Sequence, residues 1–328
     1  MLLIDPTLIT RAYDCVKTHL VKKPLYRSDY YSQLLKANVL FKLEIMQPTH
    51  TFKVRGAFNA ISSLTEEERS RGVVTASGGN HGLGVAYAAA KLGVKAIVYL
   101  PKNTPIIKID AVKALQAEVI LYGDVFDEAA KFALSEAKQH NRSFIHPFNN
   151  EAVMAGQGTI ALELLEQCSA IDWVITSIGG GGLISGVTSA LKAYSPGTRV
   201  AGVETEGADC MSKSLQAKKI IELPAITSVA ESLGAKKTEQ RQFDIVSQYV
   251  DSVAVVSDEA AIRSLLEVLE YEKMMIEPAA SCVLAALTAG RIPIKAGETI
   301  VAVVCGANIS HARVCEWGST YKIAHKVN

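Results

Sequence analysis

The sequence predicts an α/β fold of two interleaved lobes, each built on a mostly parallel sheet, and three observations carry that prediction. Short runs rich in Val and Ile alternate with helix-patterned stretches along nearly the whole chain. Several of those runs are apolar on both faces, as strands buried inside a parallel sheet are. At 328 residues the chain also exceeds one ordinary core, which argues for two lobes sharing a cleft. Strands are expected at 39–45, 73–77, 96–100, 119–122, 173–178, 200–203 and 300–304. Helices are expected between them at 82–91, 104–115, 127–139, 156–167 and 184–194. No repeat, low-complexity stretch or long linker interrupts the alternation.

Composition narrows the partners. A 49% hydrophobic content with 20% charged residues belongs to a globular chain, not a disordered one. Lys plus Arg number 34 against 33 Asp plus Glu, a net charge of +1, so no basic excess exists to hold a nucleic acid. A small-molecule partner is expected instead. The six cysteines are scattered without metal-ligand spacing, which points to a reducing compartment. The N-terminal stretch carries acidic residues, and Pro6 breaks its apolar core, so it reads as neither signal peptide nor membrane span. The expectation is a cytoplasmic protein without a membrane partner.

Four segments have the composition of a ligand site. Gly179, Gly180, Gly181 and Gly182 precede Leu183 between an expected strand and an expected helix. Without Cβ atoms there, backbone N–H groups can curl around a phosphate at the positive end of the helix. The loop lacks the Lys and Ser/Thr of a nucleoside-triphosphate loop and the spacing of the dinucleotide fingerprint, which leaves a lone phosphate monoester or a tight turn with no ligand. A second turn, Ser77, Gly78, Gly79, Asn80, His81 and Gly82, could admit a ligand to its backbone or simply cap a helix. Lys53 follows a strand-to-helix turn with Phe52 beside it, and a lysine desolvated there can form a Schiff base with an aldehyde. The alternative is an ordinary surface lysine. Cys305 ends a buried strand at the carboxyl edge of its sheet, where it can meet a ligand ring or serve as a core thiol.

Taken in order, the lysine after Q-P-T, the G-G-N-H turn, the glycine loop and the C-terminal C-G-A-N resemble the fold-type II pyridoxal-phosphate enzymes. The likeness spans residues 20–308. His146-Pro147-Phe148 and the A-G-Q-G-T stretch at 155–159 look like the serine/threonine dehydratase and serine racemase group. The segments at 223–236 and 303–310 look most like liver-type L-serine dehydratases. The resemblance implies a tryptophan synthase β-like architecture with the cofactor in the cleft between two domains. The expected large cofactor-binding domain takes residues 1–67 and 150–328, and the small domain 68–149.

It also implies roles. Lys53 would hold pyridoxal 5'-phosphate as a Schiff base and Phe52 would pack on its ring. Asn80 would bond the phenolic oxygen, the amides from Gly179 to Leu183 would hold the phosphate, and Cys305 would face the pyridine nitrogen. Ser77 and the turn through Gly78, Gly79, Asn80 and His81 would bind the substrate carboxylate. The activity implied is dehydration and then deamination of a small hydroxy amino acid, L-serine or L-threonine, to a 2-oxo acid and ammonia.

The chain departs from the family pattern in three places. His50-Thr51 stands where Gly-Ser is usual, so His50 is either a structural histidine or a determinant of substrate choice. Gly78 stands where racemases carry the serine that acts on the opposite face, which favours a dehydratase. At the family's cation site Glu204 and the Ala208 carbonyl match, but Cys210 replaces an oxygen donor. A monovalent cation held by carbonyls is expected there, not a tight divalent one. The short stretch after C-G-A-N leads us to expect a catabolic enzyme without an appended regulatory domain, and the family a homodimer. The competing readings are a dehydratase for another β-hydroxy amino acid, a β-replacement synthase, a non-catalytic ligand-binding relative and a nicotinamide dehydrogenase.

Overall fold

A computed structural model describes residues 2–321. Ten strands form two sheets. The larger runs in space as β1 (Leu25–Arg27), β2 (Asn38–Leu43), β10 (Thr299–Val304), β7 (Trp173–Ser177), β8 (Arg199–Thr205) and β9 (Ser252–Val256). Every neighbouring pair in it is parallel except β1 with β2. The smaller sheet runs as β5 (Glu118–Leu121), β4 (Ala96–Leu100), β3 (Val73–Ala76) and β6 (Ser143–Phe144), parallel throughout.

All seven expected strands are present, with ends moved by a residue or two. Strands β3, β4 and β7 are buried at every position, which is why they read as unbroken apolar runs. The stretch 39–45 is shorter than expected because Glu44–Met46 turns into a 3-10 helix. The N-terminal segment forms a helix, Pro6–His19, that the sequence reading did not foresee. Pro6 stands in its first turn, where it loses no hydrogen bond, and the Asp5 carboxylate accepts from the Thr7 N–H at 2.8 Å.

Two apolar clusters matter for the cleft. The first lies about the large sheet and includes Phe41, Phe52 and Val303. The second joins Val54, Ala57, Phe58 and Ile61 of helix Lys53–Ser62 to Val73, Val85 and Val98 around the small sheet. Phe52 packs in one cluster and Val54 in the other, so Lys53 sits on the seam between them.

A fully buried charge cluster fastens that helix. Arg55 Nε and Nη2 donate to the two Glu44 carboxylate oxygens at 2.7 and 2.8 Å. Its Nη1 and Nη2 donate to the two oxygens of Glu163, both at 2.8 Å. Lys42 is also bonded to Glu163, which makes two cations and two anions with almost no exposure. Burial pushes the Glu163 carboxyl up, and the Arg55 and Lys42 charges more than offset it, holding its pKa below the usual carboxylate value.

Candidate active site

A cleft lies at the carboxyl ends of β7 and β10, facing the start of helix Asn80–Lys91. That is where ligands bind in open parallel sheets. Phe52, Lys53, Asn80, Gly179, Gly180, Gly181, Gly182, Leu183 and Cys305 all line it. Residues far apart in sequence are thus brought together as expected.

Lys53 begins its helix and its side chain enters the cleft. Nζ donates to the Pro147 carbonyl at 2.9 Å and lies 5.2 Å from the centre of the Phe52 ring. Burial pulls its pKa down to about 8, with Cys305 and Glu277 opposing that shift. A large part of the amine is therefore neutral near pH 8, the form that can attack an aldehyde or accept a proton.

The glycine loop leads into helix Gly182–Tyr194, whose N-terminus has no side-chain cap. Among the described residues no backbone N–H from Gly179 to Leu183 has a protein acceptor. Five adjacent unsatisfied donors at the positive end of a helix are a fitting cradle for a phosphate. The loop cannot carry side chains. Gly181 has φ +94°, and a Cβ on Gly180 would fall 2.3 Å from Phe148 Cδ1. These features fit pyridoxal phosphate, a phosphate monoester bearing an aldehyde.

Cys305 directly follows β10, against the cleft. Its thiol lies 3.5 Å from the Ser177 hydroxyl and 3.5 Å from the Ala279 carbonyl. Burial, with Glu277 nearby, pushes its pKa up to about 12, so it stays a neutral thiol. Cys305 is therefore both the buried thiol and the cleft residue that the sequence left as alternatives.

The second turn divides. Asn80 faces the cleft, whereas Ser77, Gly78 and Gly79 lie outside its lining, with the Ser77 hydroxyl accepting from the Gly79 N–H at 3.3 Å. His81 is buried, with Nε2 2.9 Å from the Ile145 carbonyl. Burial above all, and then the charge of Lys53, hold its pKa down at about 3, so the ring is neutral.

His50 is exposed and lies outside the lining. Its φ of +55° is the left-handed conformation that glycine adopts without strain, which accounts for the glycine usual at this position. The carbonyl of His50 accepts from the Ala307 N–H at 3.0 Å, which pins the turn. Replacing His50 with Gly is expected to stabilise the protein by up to about 1 kcal/mol in a denaturant titration. The ratio of activities on serine and threonine is expected to stay unchanged. A changed ratio would return His50 to the site.

Glu204, in β8, is already engaged. Its carboxylate accepts from the N–H groups of Met211 at 2.9 Å and Ser212 at 2.7 Å, at the start of helix Cys210–Ala217. Burial nevertheless raises its pKa to about 8. Ala208 is buried nearby, and burial pushes the Cys210 thiol up to about 12. Both Glu204 oxygens are thus taken by backbone donors. Among the described residues no group of three or more His, Cys, Asp or Glu could hold a metal.

The cleft also holds residues that the sequence reading assigned no part in it, among them Ser177, Ser232, Leu233, Glu277 and Ala279. Ser232 and Leu233 lie in a segment noted for its family likeness alone, whereas Phe148 was expected to be able to shape the pocket and does line it. Glu277 had a weaker signal, an acid followed by proline directly before an apolar helix, Pro278–Thr288.

Comparison with known proteins agrees with this geometry. Residues 16–306 match the family described as pyridoxal-phosphate dependent enzyme. An L-threonine ammonia-lyase of Geobacter sulfurreducens is 39% identical over 92% of this chain and 75% of its own length. A biosynthetic L-threonine dehydratase of Pasteurella multocida is 38% identical, but the chain spans only 59% of that relative. Among solved structures, maize serine racemase superposes with a TM-score of 0.90 at 34% identity, covering 97% of each chain. The processed threonine deaminase isoform 2 of Solanum lycopersicum gives 0.89 at 33% identity, over 96% of this chain and 90% of that one. With the lysine, the phosphate cradle and the matched length in agreement, the chain belongs to the pyridoxal-phosphate dependent enzymes.

Proposed function

We propose that this chain removes water and then ammonia from L-threonine and L-serine, giving a 2-oxo acid. The observation that carries the reading is the Lys53 amine in a cleft that an uncapped glycine loop also lines. Relatives named threonine ammonia-lyase and dehydratase support it.

Pyridoxal phosphate, when bound, supplies an electron sink for the charge left on Cα. The chain's residues do the rest. The amides from Gly179 to Leu183 hold the phosphate, Phe52 packs on the ring, and Asn80 donates to the phenolic oxygen. Lys53 Nζ, as a neutral amine, would accept the Cα proton. The Cα–H bond would break, its electron pair would form the Cα–Cβ double bond, and the β-hydroxyl would take that proton back from Lys53 Nζ and depart as water. The enamine then tautomerises and hydrolyses to the 2-oxo acid and ammonia. The Cys305 thiol cannot keep the ring nitrogen protonated as a carboxylate would. Ser77 and the turn through His81 remain the proposed seat of the substrate carboxylate, through backbone amides. Gly78 offers no proton to the opposite face, so racemisation is not expected.

We extend the reading to a catabolic, cytoplasmic homodimer on the strength of the family likeness, and light scattering of the holoenzyme tests the dimer. Among the described residues no helix is long and apolar enough to cross a membrane. We propose that any cation near Glu204 is monovalent, so dialysis against a divalent chelator should leave rate and melting temperature unchanged.

The deciding assay is 2-oxo acid formation from L-serine, D-serine, L-threonine and 3-hydroxyaspartate, with chiral analysis of residual serine. Product from L-threonine or L-serine, without D-serine appearing, is expected. No product from any of the four, with the visible band of bound cofactor intact, would overturn the substrate and leave the cofactor.

A further inference from the structure

Three side chains from distant parts of the chain close a ring of hydrogen bonds at the cleft. Asn80 Nδ2 donates to Glu277 Oε1 at 2.8 Å. The backbone N–H of Asn308 donates to Glu277 Oε2 at 3.1 Å. Asn308 Nδ2 returns to Asn80 Oδ1 at 2.6 Å and also reaches the Thr49 carbonyl at 2.9 Å. Thr49 stands in the turn before Lys53, Asn80 opens the helix after β3, and Asn308 follows β10. The ring therefore ties these segments together beside the cleft, which Asn80 and Glu277 line.

Its polarity is fixed throughout. The Thr49 carbonyl can only accept, so it selects which end of the Asn308 amide is the NH₂ group. That NH₂ group in turn requires the oxygen of Asn80 to face it. The NH₂ group of Asn80 must then face Glu277, whose other oxygen is taken by the Asn308 N–H. Flipping Asn308 would set its oxygen against the Thr49 and Asn80 oxygens, and flipping Asn80 would set donor against donor at Asn308 and acceptor against acceptor at Glu277. One N–H of Asn80 is left over. Its nearest partner, the Ser232 hydroxyl, is 3.3 Å away, the longest contact in the group and the one that an acceptor in the cleft would replace.

We propose that Glu277 and Asn308 are positioning residues that lock Asn80 as a hydrogen-bond donor to an oxygen of the bound cofactor. The ring also couples that donor to the turn that carries Lys53. This inference rests on the cleft being the pyridoxal-phosphate site. Glu277 leads the helix Pro278–Thr288 without capping it with its side chain, which turns into the cleft instead. Its surroundings consist of donors: Asn80, Ser232 and the Asn308 N–H, with the charge of Lys53 beyond. A carboxylate meets that set, whereas a glutamine must place an NH₂ group against one of them.

Pyridoxal phosphate titrated into wild type, Asn80→Ala, Asn308→Ala, the double variant and Glu277→Gln tests the proposal, with the visible absorption band and melting temperature read for each. Asn308 is exposed, so its removal leaves the core intact and decides the matter even where Glu277→Gln fails to fold. The single variants Asn308→Ala and Glu277→Gln are expected to bind the cofactor about 10-fold more weakly and to shift its band. The double variant is expected to be no worse than Asn80→Ala, because Asn308 acts through Asn80. Wild-type affinity and an unshifted band in Asn308→Ala, or fully additive losses in the double variant, would overturn it. Those outcomes presuppose a wild type that shows the band. A wild type without one would overturn the reading of the site itself, and this inference with it.

Discussion

Replacing Lys53 with alanine is expected to abolish 2-oxo acid formation, by at least about 10⁴-fold, the upper end of what a positioned base contributes. The visible band of bound cofactor is expected to vanish with it. The fold should not suffer. Lys53 Nζ makes one hydrogen bond, to the Pro147 carbonyl, and its backbone lies in the first turn of a helix that alanine favours. The same substitution carries a second signature. The unfolded chain binds the lysine proton up to about pH 10.5, and the folded chain releases it near 8. Between those values the unfolded state holds more protons on this residue, so Lys53 contributes a gain in stability as pH rises, opposed above about pH 9 by the Cys210 and Cys305 thiols that folding keeps protonated. In Lys53→Ala that gain should be absent. Product formation that survives the substitution would sink the assignment. Equal pH slopes in wild type and Lys53→Ala would mean that the amine is not desolvated.

Much of this site was legible because its parts sit at the ends of strands that announce themselves. The runs at 173–178 and 300–304 are apolar on both faces, and each ends in small residues, so the glycine loop and Cys305 could be placed at a sheet edge from sequence alone. Strands β1 and β6, of three and two residues, carry too little pattern to be read, and β9 is only half-buried. What depends on distant contacts was not readable. Glu277 and Asn308 gain their importance only through Asn80, which lies 197 positions from Glu277 and 228 from Asn308. The conformation of His50 was likewise hidden. A histidine gives no hint of a left-handed backbone, and only the turn around it does.

The buried charge cluster supplies the other large effect. Arg55 lies two residues beyond Lys53 on the same helix and grips Glu44, in the 3-10 turn after β2, and Glu163, in helix Glu151–Gln167. Arg55→Leu would leave two buried carboxylates facing the single ammonium of Lys42. Removing one partner from such a set costs about 3–5 kcal/mol, because the remaining charge has neither water nor a counter-ion. The midpoint of urea unfolding is expected to fall accordingly, with the slope unchanged. Arg55→Lys should recover only part of the loss, since an ammonium cannot bridge two carboxylates with paired N–H groups. The comparison that separates stability from positioning replaces Lys42, Glu44, Arg55 and Glu163 together with apolar residues of similar volume. Such exchanges of whole buried clusters are often neutral. A quadruple variant that regains stability but keeps a low kcat would show that the charges aim the helix bearing Lys53. One that regains both would reduce them to packing.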